Sequence, residues 1–109
     1  MSLFYTGQPF DRFAKDAFRI AAGQLDTAMA LAADVDVMVV NLTLPDRLSH
    51  FLWYELDSTD QTQRPHILRA YDFVDEACRR LESLQPDAML VFSEIGFGKL
   101  DGFFSIDRH

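Results

Sequence analysis

Asp36–Trp53, DVMVVNLTLPDRLSHFLW, is the stretch whose reading decides the fold. Val37–Val40, with Leu42 beyond, is a short β-branched apolar run closed off by Asp36 on one side and Pro45 on the other. Such a run reads as a strand buried on both faces, of the kind parallel sheets use. After Pro45 the chain turns polar, and Asp46 and His50 stand four residues apart. On a helical turn that spacing sets a carboxylate and an imidazole on one face, in reach of a common ligand. Polar groups just past the carboxyl end of a buried strand are where α/β proteins place their chemistry.

Working outward, the N-terminal side carries Phe10, Phe13, Ala14, Ala17, Phe18, Ala21, Leu25, Ala28, Met29 and Ala32 at helical spacing, starting near Pro9. Gly23 lies inside that pattern as a candidate break. The aromatic stripe Phe10–Phe13–Phe18 reads as a packing face rather than a binding face. Ser2–Tyr5 and Gly102–Ile106 are candidate short strands. On the C-terminal side, Asp57–Gln63 is turn-like, and Pro65 opens a second helix with Thr62 or Arg64 near its cap. That helix carries Ile67, Leu68, Tyr71, Val74, Cys78, Leu81 and Leu84 along one side and stops before Pro86. A second strand, Ala88–Phe92, then runs into Ser93-Glu94-Ile95-Gly96-Phe97-Gly98.

Helix, strand, helix, strand predicts one α/β domain over residues 1–109, a small parallel-sheet core with crossover helices. Parallel strands would deliver Asp46 and His50 from one strand and Ser93 and Glu94 from the other to the same edge. Two core strands leave apolar edges unpaired. Either the terminal segments pair as third and fourth strands or another chain completes the sheet; the expectation is a homo-oligomer or a partner chain.

With 109 residues there is room for one domain, and 49% hydrophobic content, including ten Phe, supplies a core. A net charge of −7 argues against nucleic acid or an acidic membrane as partner. Cys78 is the single cysteine, which rules out an internal disulfide and fits a reducing compartment. No apolar run has the roughly 20 residues a bilayer crossing needs, and the N-terminal residues lack the layout of a secretion signal. A cytoplasmic protein is expected.

Asp46, His50 and Glu94 together offer one nitrogen and two carboxylates to a divalent metal such as zinc or manganese. The alternative is a hydrogen-bonded trio in which Asp46 caps the helix that follows Pro45. His66 and His109 read as surface histidines. Ser93 has no general base at fixed spacing, and Gly96-Phe97-Gly98 lacks the lysine of a phosphate-cradling loop.

Three blocks in order, VVNLTLPDRLSHFLWYELD (39–57), ILRAYDFVDEACRRL (67–81) and AMLVFSEIGFGKLDGFFSID (88–107), resemble the later part of the alkaline-phosphatase superfamily. The resemblance is to the type I phosphodiesterase/nucleotide pyrophosphatase-like phosphohydrolases and covers about residues 34–107. It implies a fragment of the alkaline-phosphatase-like α/β fold, in a family that uses two metals, commonly zinc, and a Thr or Ser nucleophile. Asp46 and His50 match the pair that binds one metal, and Ser93 and Gly96 match the frame of the other motif. Glu94 stands where the family has Asp, and Ile95 where it has His. Isoleucine offers no lone pair, and the segment that carries the family's nucleophile has no counterpart here. The expectation is a degenerate phosphohydrolase-like domain, non-catalytic by itself, with a binding, regulatory or assembly role. The alternative is a metal-dependent phosphoesterase whose active site is completed by another chain.

Overall fold

The structure, a computed structural model, describes residues 9–57, 64–99 and 101–102. Three helices form the described core. Helix α1 spans Phe10–Leu31 and ends in a 3-10 turn, Ala32–Asp34. Helix α2 spans Leu44–Leu52 and runs on into a 3-10 turn, Trp53–Asp57. Helix α3 spans His66–Glu82.

Each helix starts and faces as its residues dictate. Pro9 and Pro65 stand just before α1 and α3, where fixed φ suits helix entry, and their carbonyls accept the first helical bonds, from Phe13 and Arg69. Phe13, Ala14, Ala17, Ala21 and Leu25 make the buried stripe of α1. Leu44, Leu48 and Leu52, one turn apart, make that of α2, and Ile67, Ala70 and Ala77 that of α3. Gly23 does not interrupt α1; its face is open, and Thr27 Oγ1 donates to the Gly23 carbonyl at 2.9 Å. On α3 the alanines, rather than Tyr71, face the core, and Tyr71 is exposed. Small residues at Ala14 and Ala70, both fully buried, let the helices approach closely.

Paired contacts fix the helix directions. Asp11 meets His66, Phe18 meets Phe73, and Asp26 meets Arg80, so α1 and α3 run parallel. Phe10 meets Tyr54 and Phe13 meets Phe51, so α2 runs against α1. α2 packs on the N-terminal half of α1, and its leucines join the alanines of α1 and Ile67 and Ala70 of α3 in one cluster. A helix of 22 residues is about 33 Å long, and α2 covers less than half of that. Residues 35–41 run back alongside the remainder, Gly23–Leu31. Beyond α3 the chain turns at Gln85, a non-glycine residue with φ of 56°, just before Pro86, and again runs back. Phe97 arrives at His50 and Trp53 near the end of α2.

The α/β expectation, and with it the fragment of an alkaline-phosphatase-like fold, is overturned: among the described residues there is no strand and no sheet, and the architecture is all-helical. Residues 35–42 and 88–92 are the runs read as parallel core strands. Val35 has extended dihedrals, φ −131° and ψ 148°, and residues 37–43 carry neither helix nor turn. A strand exists only through a neighbour that takes up its N–H and C=O groups. Among the described residues neither run makes a backbone–backbone hydrogen bond. Composition reports the preference of a segment for extended backbone; it does not supply the second strand. The sequence-expected segments Ser2–Tyr5 and 103–106 lie outside the described residues, as does His109.

Candidate functional site

Asp46 falls in the first turn of α2, where a carboxylate suits the helix dipole, and His50 in its last turn. Asp46 makes no capping bond; Thr43 occupies the cap position, also without a side-chain cap. The expected four-residue pair does form: His50 Nε2 lies 3.5 Å from Asp46 Oδ1, with both side chains about half exposed. Beside it is an open cleft of about 200 Å3 bordered by His50, Trp53, Tyr54, Asp57 and Lys99. Lys99 Nζ reaches Asp57 Oδ2 at 3.2 Å across that cleft.

The segment that follows α3 meets this pair through an aromatic ring instead of a carboxylate. Phe97 packs edge-on against the His50 imidazole, with centroids 4.9 Å apart, and tilts over Trp53 at 5.9 Å. Glu94 lies in an exposed bend of that segment, where Ser93 Oγ donates to the Ile95 carbonyl. The structure therefore joins Asp46 to His50 and leaves Glu94 outside their cluster. Among the described residues no group of three His, Cys, Asp or Glu side chains is placed to hold a metal ion.

His66, read from sequence as a surface histidine, is the better-held imidazole. Only a fifth of its side chain is exposed, and Nδ1 lies 2.7 Å from Glu55 Oε1. The second carboxylate oxygen, Oε2, accepts the His66 backbone N–H at 2.7 Å. Glu55 thus caps α3 from outside the helix, satisfying one of its orphan donors. Asp11 Oδ1, on the first turn of α1, stands 3.5 Å from Nε2. This cluster ties α1, α3 and the Trp53–Asp57 turn together. Local spacing held no trace of it, because Glu55 and His66 are eleven residues apart. Next to it, Arg64 forks onto both oxygens of Asp72. The hydrogen bond first, and the charge of Asp72 second, raise the guanidinium pKa above its ordinary value.

The largest departure from ordinary surface chemistry lies elsewhere. Val37 is 83% exposed, Val39 88%, Leu90 87% and Phe92 84%. Along 37–42 burial alternates: Met38, Val40 and Leu42 are half-buried, while Val37, Val39 and Asn41 are exposed. Between residues 35–41 and the Gly23–Leu31 half of α1 runs an open groove of about 610 Å3. Single exposed apolar residues are commonplace; runs of them mark surfaces that meet something.

No protein-family model, curated protein or solved structure matches the chain. Among the described residues no helix is long and apolar enough to cross a membrane.

Proposed function

We propose that this chain is a non-catalytic assembly module, a three-helix block that presents two apolar segments, 35–42 and 88–92, to another polypeptide. The observation that carries the reading is the exposure of Val37, Val39, Leu90 and Phe92 on backbone that makes no backbone–backbone hydrogen bond among the described residues. Water tolerates such surface only at a free-energy penalty that burial against a partner removes. A phosphoryl-transfer centre, by contrast, needs a positioned nucleophile and metals flanking the phosphorus. The test is hydrolysis of a nitrophenyl phosphodiester by the purified chain with added zinc or manganese. No turnover is expected; turnover abolished by His50→Ala overturns the reading.

One observation favours a second reading. The half-exposed Asp46–His50 pair at the cleft edge is the part of a divalent-metal site that this chain can offer. With ligands from another chain it would build the active site of a metal-dependent phosphoesterase. Zinc bound in proportion to the complex, and lost with His50→Ala, would favour this second reading.

A further inference from the structure

We infer that residues 86–99 form a releasable strap, fastened at its far end by Phe97 and Lys99, whose release uncovers the His50 and Trp53 rings beside the cleft. This goes beyond the assembly reading and does not depend on it, because the strap fastens or releases whether or not another polypeptide meets residues 88–92.

The course of the segment shows that it has slack. It leaves α3 at the Gln85 turn, and Phe97 sets down on Trp53, two residues from the Glu55 that caps the start of α3. The distance it covers is therefore about the length of α3, which at 17 residues is about 26 Å. Residues 86–97 can reach about 40 Å when extended. Chain tension does not hold Phe97 in place; its own contacts do.

Burial shows where the fastening lies. From 86 to 99 every residue is exposed except Phe97, which is half-buried. Its ring stands edge-on to the His50 imidazole, with centroids 4.9 Å apart, and tilts over Trp53 at 5.9 Å. Two residues on, Lys99 Nζ pairs with Asp57 Oδ2 at 3.2 Å. A ring and an ion pair thus grip the two ends of the Trp53–Asp57 turn. Among the described residues, the one further polar contact of the segment is internal, from Ser93 Oγ to the Ile95 carbonyl, and no backbone hydrogen bond ties it to the helices.

Both holds are weak by nature. An ion pair whose side chains are 65% and 60% exposed contributes little and is screened by salt. Ring contacts add a modest attraction to the area they cover. The core cluster is built from α1, α2 and α3 and contains no residue of the strap. Release therefore leaves the helical packing intact while it bares the imidazole of the Asp46–His50 pair and the cleft beside it. Ionic strength is the lever, since it loosens the Lys99–Asp57 half of the fastening.

Trp53 is the single tryptophan, so quenching of its fluorescence by acrylamide, which is uncharged, reads the strap directly. Raising sodium chloride to about 0.5 M should increase quenching of the wild-type chain. Phe97→Ala should increase it about twofold at any salt concentration, with helical circular dichroism unchanged. Lys99→Gln should quench in low salt as wild type does in high salt and respond to salt no further, whereas Lys99→Arg should behave as wild type. A ring fixed permanently on Trp53 would answer to Phe97→Ala but not to salt, so a wild type indifferent to salt overturns the inference. A salt response that persists in Lys99→Gln overturns it too, as does unchanged quenching in Phe97→Ala. Loss of helical circular dichroism in Phe97→Ala also overturns it, because the ring then belongs to the core.

Discussion

Replacing Glu55 with alanine removes two interactions at one stroke: the cap on the His66 N–H and the 2.7 Å contact with the imidazole. Loss of a helix cap costs about 1 kcal/mol. A hydrogen bond to a charged group contributes about 1.5–3 kcal/mol when its partner is withdrawn from water, and Glu55 is 18% exposed. The two share one carboxylate and do not simply add, so the expected loss is about 2–3 kcal/mol. For a chain of this length that lowers the melting temperature by about 8–12 °C. Urea and thermal denaturation followed at 222 nm measure it. A double-mutant cycle with His66→Ala should give a coupling of about 1 kcal/mol or more, since the residues touch. Glu55→Ala within 0.5 kcal/mol of wild type, or additive with His66→Ala, would refute the view that this carboxylate holds α3 to the rest.

Leu48→Ala should lower unfolding stability by about 3–5 kcal/mol, because Leu48 is fully buried among residues of α1 and α3 and leaves a cavity; chemical denaturation reads the loss. Gln85→Gly should instead stabilise by about 1 kcal/mol, since glycine accepts the left-handed conformation at φ 56° without the Cβ penalty; an unchanged or lower denaturation midpoint would contradict this.

The helices were written plainly in the chain. The stripe Phe13–Ala14–Ala17–Ala21–Leu25 follows a helical period, the leucine triplet of α2 is spaced to share one helix face, and Pro9 and Pro65 mark where two helices begin. Residues 35–42 and 88–92 show the opposite case. The valines of 35–42 and the apolar run 88–92 favour extended backbone, but pairing is a property of two segments and neither segment encodes the other's position. The site divides in the same way. Asp46 and His50 were visible because a helical turn brings them together locally. Glu94 depended on a sheet edge that is not formed. His66 was missed because its partners, Glu55 and Asp11, come from two other elements and meet only after the helices pack.

Hydrogen–deuterium exchange of the amides in 37–42 and 88–92 tests most directly whether these segments are left open on the helical block. Rapid exchange in those two segments is expected in dilute solution, while the packed faces of α1 and α3 exchange slowly. Slow exchange in those segments in the dilute chain would contradict it.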